Sequence, residues 1–241
     1  IISLLETDFP SMTIAKSFSI VGFETIVQKT IKNKVRAIML VRKNLKYEQV
    51  NVSTTSPIVS IQIHRLNMNP LVVTAIYREW TTKDEQMTQL QDLESHLEEI
   101  IKSKDIIIMG DFNLNLKRFD DPAWEYKEFG KILIQICEEN GLSIRSPGDT
   151  YYYKKNDEIF GSQIDYFLLS ERLKDGLIDI IQQEISDHDG IVISVPSTNF
   201  DRRIEPIQVI CREKIKDKAA FRMEMRSAMG QCFQDFYYMD R

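Results

Sequence analysis

Residues 106–113 read IIIMGDFN. Three isoleucines and a methionine in a row are too short a run for a helix and too β-branched to favour one, so the stretch reads as a buried strand. The strand stops at Gly110, and Asp111 and Asn113 follow at once. In open α/β proteins the carboxyl ends of buried strands are where ligands bind. Two residues apart in an extended chain, Asp111 and Asn113 point to the same side. A carboxylate beside an amide that can donate or accept suits a phosphate ester and an attacking water. Gly-Asp followed by Asn is also ordinary turn chemistry, so the motif gains meaning only from its surroundings.

Working outward, similar apolar runs rich in Ile and Val recur at 1–5, 35–41, Ile58–Ile63, Leu71–Tyr77, 164–169 and Gly190–Val195, each reading as a strand. Between them lie two stretches of helical period. In 84–102, Met87, Leu90, Leu93, Leu97 and Ile101 form one apolar stripe, and in 122–140 Trp124, Phe129, Leu133 and Ile136 do the same, with Gly141 as a stop signal. Strands mixed with helices predict an α/β sandwich with sheets inside and helices outside. Residues 150–154 and 164–169 flank a polar stretch, 155–161, which we read as the protruding tip of a hairpin. Pro196, Ser197 and Asn199 mark a boundary, and 201–241 reads as a linker or the start of a following domain.

At 43% hydrophobic and 28% charged, the 241-residue chain has enough apolar side chain for a layered core. Its apolar runs fall far short of the roughly 18 residues of a membrane helix, so no membrane association is expected. Cys137, Cys211 and Cys232 are odd in number and widely spaced, which argues against a disulfide framework or a cysteine zinc site and for a reducing compartment. The net charge is −5, yet Lys29, Lys32, Lys34, Arg36, Arg42, Lys43 and Lys46 fall in a segment without an acidic residue. Such a patch can meet phosphate on an otherwise acidic protein, or simply be a solvated loop and strand edge.

Other strand ends also carry polar groups. Glu6 follows the first run, where a carboxylate can ligate a metal. Tyr77 and Arg78 end another strand, and both can donate to a phosphate oxygen. Asp165 sits at the start of its strand, so its carboxylate must face a polar pocket or an edge. Asp187 and His188 precede the last strand. An imidazole needs a partner that fixes its tautomer and supports its positive charge, which a carboxylate does best. Singly, each is as well explained by a turn, a cap or a strand edge. Five strand ends so furnished in one layered fold are hard to explain that way.

Taken together, ET at Glu6, YR at Tyr77, GDFN at Gly110, SQIDYFLLS at Ser162 and SDH at Ser186 resemble, in residue type and order, the endonuclease/exonuclease/phosphatase superfamily. Within it the chain is most similar to the apurinic-endonuclease-like domain of non-LTR (LINE-type) retrotransposons. The resemblance spans roughly residues 1–196. It implies a four-layered α/β sandwich, two packed mixed sheets flanked by helices, and Mg²⁺-dependent (or Mn²⁺-dependent) phosphodiester hydrolysis. Glu6 and Asp187 match the metal-side carboxylates, Asp111 the residue that activates water and Asn113 the one that orients it or the phosphate. Tyr77 matches the Tyr near the scissile phosphate, and Asp165 the partner of His188. Whether the Asp or the His is the base stays open. The family also has an Asn on a strand upstream of the Glu, so this chain is expected to lack its first strand. Retrotransposon members usually follow YR with Pro, whereas Glu79 and Trp80 follow here.

The implied activity is DNA nicking by an intracellular enzyme, nuclear when it acts, from a polyprotein in which a reverse transcriptase follows. The double-stranded target would be held by Arg78, Lys154 and Lys155, with the tip 155–161 entering the minor groove. Two other readings remain: a phosphoesterase of the same superfamily acting on an inositol phosphate, a sphingolipid or a protein-bound nucleotide, and a degenerate nucleic-acid-binding module without catalysis.

Overall fold

A computed structural model describes residues 1–28, 32–52, 55–102, 104–182, 186–195 and 207–212. The first sheet is built from β1 (Ile2–Phe9), β2 (Phe23–Val27), β3 (Val35–Arg42), β12 (Leu177–Ile181), β13 (Gly190–Val195) and β14 (Ile207–Arg212), in the order β12-β13-β14-β1-β3-β2. The second is built from β4 (Tyr47–Val50), β5 (Ile58–Ile63), β6 (Leu71–Tyr77), β7 (Asp105–Asp111), β8 (Leu142–Arg145) and β11 (Asp165–Ser170), in the order β4-β5-β6-β7-β11-β8. A hairpin of β9 (Tyr151–Lys155) and β10 (Glu158–Ser162) stands apart. The helices are α1 (Met12–Ser17), α2 (Lys83–Ile100) and α3 (Lys127–Glu139).

Period-2 alternation sorts the apolar side chains into three packed interfaces. Leu5, Ala37, Met39 and Val41 of the first sheet meet Val59, Val73, Ala75, Ile107 and Met109 of the second. The other face of the second sheet, with Val72, Ile106 and Ile108, packs on Leu90, Leu93 and Leu97 of α2 and Leu133 and Ile136 of α3. The outer face of the first sheet, with Leu4, Ile38 and Leu40, is covered by Ala15 of α1. Helix, sheet, sheet, helices: the fold is the expected four-layered α/β sandwich. No described helix is long and apolar enough to cross a membrane.

Helix α2 starts where its cap dictates: Thr82 Oγ1 accepts from the Glu85 amide, and Asp84 and Glu85 in the first turn favour the positive end of the helix. Helix α3 is shorter than the 122–140 expected. Residues 122–126 are non-helical, four of them in turns, fixed in part by the Ala123 amide donating to Asp121 Oδ1. Trp124 reaches the core from those turns, so its apolar spacing imitates a helical stripe. The hairpin also differs from its reading. Asn156 and Asp157 both have positive φ (50° and 63°), which closes a two-residue turn between Lys155 and Glu158. The partner strand is therefore β10, inside the supposed tip, while β11 pairs with β7 and β8.

Residues 207–212 lie beyond the boundary read at 196, yet β14 is hydrogen-bonded into the first sheet, parallel to β1 and antiparallel to β13. Its place in that sheet is an interior one, between β13 and β1. Among the described residues Cys137 is a buried free thiol on α3; the side chains of Cys211 and Cys232, like Lys29, lie outside the described residues.

Candidate active site

Three strand ends meet at one edge of the second sheet. Tyr77 pairs in register with Asp111 across the parallel β6–β7 ladder, and Asp165 pairs with Asp111 across the antiparallel β7–β11 ladder. The approach of β6 to β7 requires Gly110: a Cβ there would stand 1.9 Å from the Ile76 carbonyl oxygen.

Asp111 is 0% exposed, and both its oxygens are engaged. Oδ1 accepts from the Asn113 amide at 2.7 Å and Oδ2 from Asn113 Nδ2 at 3.0 Å. The pair meets through a turn, since Asn113 has φ 50° and its side chain folds back, and not through the side-by-side projection of an extended chain. Asn113 Nδ2 also donates to the Arg78 carbonyl, at 2.7 Å.

His188 comes from the first sheet, just before β13, and faces Asp165 of the second. Its Nδ1 lies 3.0 Å from Asp165 Oδ2, so the imidazole donates there and Nε2 is the nitrogen not used by Asp165. Thr150 Oγ1 donates to the same carboxylate. Burial alone would lower the His188 pKa, but the carboxylates of Asp165, Asp111 and Asp187 outweigh it and raise it. The base of the hairpin is fastened to this segment: the Tyr152 amide donates to the Asp187 carbonyl at 3.1 Å, the Asp189 amide to the Thr150 carbonyl at 2.7 Å, and the Tyr151 ring lies 4.7 Å from the imidazole.

A cavity of about 1030 Å³ gathers Glu6, Tyr77, Asn113, Asp187 and His188 into one lining. Glu6 sits at φ 49°, in a register shift of β1, with Arg36 Nη1 3.6 Å from its carboxylate. Arg36 also contacts Asp8 (2.6 Å) and Glu79 (3.1 Å) and stands over the Tyr77 ring, its Cζ 5.8 Å from the centroid. Among the described residues no three His, Cys, Asp or Glu side chains form a metal cage. Mg²⁺ does not need one, because it keeps several waters and takes one or two carboxylates plus substrate phosphate oxygens. The hard oxygen donors Glu6 and Asp187, both in the cavity lining, fit such an open site in chemical type.

Arg78 must be reassigned. Read from sequence as a phosphate donor, it is 0% exposed, with Nη1 donating to the Phe112 carbonyl (3.0 Å), Nη2 to Gln86 Oε1 (2.7 Å) and its guanidinium over the Phe129 ring. Desolvation lowers its pKa to about 10 against the opposing pull of Asp111. It braces the Asp111 loop from behind. Lys154 is on the outer part of the hairpin, paired with Asp157 at 2.8 Å and outside the cavity lining. The Lys155 side chain lies outside the described residues.

A family model described as endonuclease-reverse transcriptase matches residues 71–192, just over half of the chain and a span holding Tyr77, Asp111, Asn113, Asp165, Asp187 and His188. The chain belongs to the endonuclease-reverse transcriptase family. Among solved structures, the endonuclease domain of TRAS1, a telomere-specific non-LTR retrotransposon, matches with a TM-score of 0.60 at 18% identity, covering 83% of this chain and 100% of that one. TDP2 of D. rerio complexed with single strand DNA product matches at TM-score 0.49 and 15% identity, over 79% and 83% of the two chains. No curated protein is similar enough in sequence to count as a relative. The TRAS1 likeness is one of fold, the four-layered sandwich of the endonuclease/exonuclease/phosphatase superfamily.

This endonuclease-reverse transcriptase family member has site residues that the sequence reading passed over. Thr150 supports Asp165, Tyr151 backs His188, and Arg36 steadies Glu6. Arg36 is the second residue of β3, within a basic segment read only as a phosphate-meeting patch or a solvated loop and strand edge. Thr150 and Tyr151 open a run of three tyrosines whose inner and outer members only the hairpin geometry separates.

Proposed function

We propose that the chain is a divalent-metal-dependent endonuclease that nicks DNA, as part of a polyprotein of the kind its family description names. The observation that carries this reading is the Asp165–His188 pair, joined across the two sheets, whose histidine lines the same cavity as Asn113, Tyr77 and Glu6.

Mg²⁺ or Mn²⁺, held by Glu6 and Asp187, would supply positive charge to the scissile phosphate and the leaving oxygen. The chain's own groups do the rest. The carboxylates around His188 raise its pKa against the effect of burial, and in its protonated form it would face the phosphate as a cation and stabilise the charge that grows in the pentacovalent state. With His188 as that cation, Asp111 serves as the base in this reading. Its Oδ2 becomes available when Asn113 Nδ2 turns from it to a phosphate oxygen and a water takes the vacated bond. Tyr77 donates to a non-bridging oxygen. The hairpin would lie along the duplex, with Lys154 near a flanking phosphate.

The test is nicking of supercoiled plasmid by the parent, Asp111→Ala and His188→Ala in Mg²⁺ or Mn²⁺, beside small phosphoesters. We expect plasmid nicking that each substitution lowers by roughly 10²–10⁴, with far-UV circular dichroism unchanged. Turnover of small phosphoesters alone would replace DNA as substrate; a variant nicking at the parent's rate would end the role assignment.

A further inference from the structure

The cavity lining also holds an aromatic pair, Trp80 and Tyr126, that the mechanism above does not use. Trp80 is 57% exposed and lines the cavity together with Tyr126. Their ring centroids are 4.5 Å apart, Tyr126 stacks on Phe129 at 6.1 Å, and Phe129 lies under the buried Arg78 guanidinium at 5.2 Å. An unbroken series of π contacts thus runs from the cavity mouth into the core.

The loop that carries Trp80 is held rigidly. The Glu79 amide donates to Gln89 Oε1 at 2.6 Å, Gln89 Nε2 donates back to the Glu79 carbonyl, and Gln86 Nε2 donates to the Thr81 carbonyl at 2.6 Å. Both glutamines are buried on α2. Arg36 holds the Glu79 carboxylate. A large ring that packs on Tyr126 and still keeps more than half of its surface in solvent, on a backbone held by these bonds, can receive a planar partner.

Charged side chains of the same lining narrow the partner. Lys117 is paired with Asp149 at 2.9 Å, Arg118 with Asp121 at 2.7 Å, and Glu125 with Lys83 at 3.0 Å. With these three charges each answered by a partner, the exposed Trp80 ring offers a π face, which suits a base better than a phosphate. It shares one cavity with Asn113 and His188, so the occupant is continuous with whatever lies there.

We propose that Trp80, backed by Tyr126, is a stacking platform for an unpaired nucleobase adjoining the scissile phosphate. The preferred substrate is then a strand already opened or unstacked at the cut. This rests on the proposed nuclease function for its biological meaning, but its test reads binding alone.

The experiment measures binding of the full chain, in EDTA, to a fluorescein-labelled oligonucleotide duplex carrying a short unpaired bubble. The same duplex with an abasic spacer at single positions, and the fully paired duplex, are compared. Parent, Trp80→Ala and Trp80→Phe are measured, with tryptophan emission as a second readout. We expect Trp80→Ala to weaken binding to the bubble about tenfold and Trp80→Phe to keep most of it. An abasic spacer at one position should cost the parent a similar factor and cost Trp80→Ala little more. Bubble binding should quench the emission of the parent but not of Trp80→Ala. Equal binding by parent and Trp80→Ala, or equal losses on base-bearing and abasic strands, would overturn the platform. Trp80-dependent, base-dependent binding by a chain that cuts no DNA would uphold it while ending the nuclease reading; cutting by a chain whose binding ignores Trp80 would do the reverse.

Discussion

His188 Nδ1 and Asp165 Oδ2 stand 3.0 Å apart although one residue precedes a strand of the first sheet and the other opens a strand of the second. The pair is a cross-link between the layers as well as a charge couple, so a change at either residue acts on chemistry and on the seam.

The couple makes a pH prediction. Burial opposes the charge on His188, and the carboxylates of Asp165, Asp111 and Asp187 override it, so the folded pKa is above the ordinary 6.5. If the cation is required, nicking falls as pH rises through that folded pKa. Asp165→Asn removes one of the raising charges and should move the falling limb to lower pH. The same group stabilises the fold fully below about 6.5, an advantage lost as pH rises through the folded value. A pH–rate profile and a histidine NMR titration of both proteins check the two halves.

Arg78→Ala should act on stability. It strips the partners from the Phe112 carbonyl and Gln86 and empties the space over Phe129. A loss of about 2–4 kcal/mol is expected, and lysine should not restore it, because it lacks the planar fork. Urea unfolding measures the loss. With folded protein held equal, KM for DNA should be near the parent's.

Gly110→Ala should be more damaging than its single methyl suggests. The new Cβ would lie 1.9 Å from a backbone oxygen of β6, which cannot swing aside like a side-chain tip. We expect on the order of 1–3 kcal/mol of destabilisation and a displaced Asp111, seen as a lower Tm together with lost activity.

His96 gives an acid limb unconnected with catalysis. It is buried on α2, with Nε2 3.2 Å from Thr74 Oγ1, which in turn contacts Ser60 Oγ at 2.8 Å. Burial, helped by the charge of Lys104, lowers its pKa to about 4. A depressed histidine contributes its full stability above 6.5 and loses it as pH falls from there towards 4, a change of up to about 3 kcal/mol. Denaturant midpoints measured from pH 7 to pH 4 should drop for the parent and less steeply for His96→Gln.

The strands with three or more successive buried apolar residues were legible in the sequence, as was α2 with its cap, because burial on both faces and a helical stripe are local patterns. Strands β2, β4, β8 and β12 were not. Glu24, Glu48, Arg145 and Asp179 interrupt them, and such strands at or near sheet edges are specified by their neighbours more than by themselves. At the site, residue types pointed to Asp165 and His188, but Arg78 and Tyr77, adjacent in sequence, diverge in space. The alternation of a strand turns one towards the cavity and the other inward, and residue type could not say which.

Strand β14 carries a practical consequence. It separates β12-β13 from β1-β3-β2, so a protein cut back to residue 196 would leave β1 and β13 each with an unsatisfied row of amides and carbonyls facing a slot one strand wide. Bare edges of that kind recruit other chains. Expression work that trims the protein at the apparent end of its apolar pattern should therefore expect inclusion bodies or strand-swapped oligomers, and retaining residues through 212 is the simple remedy.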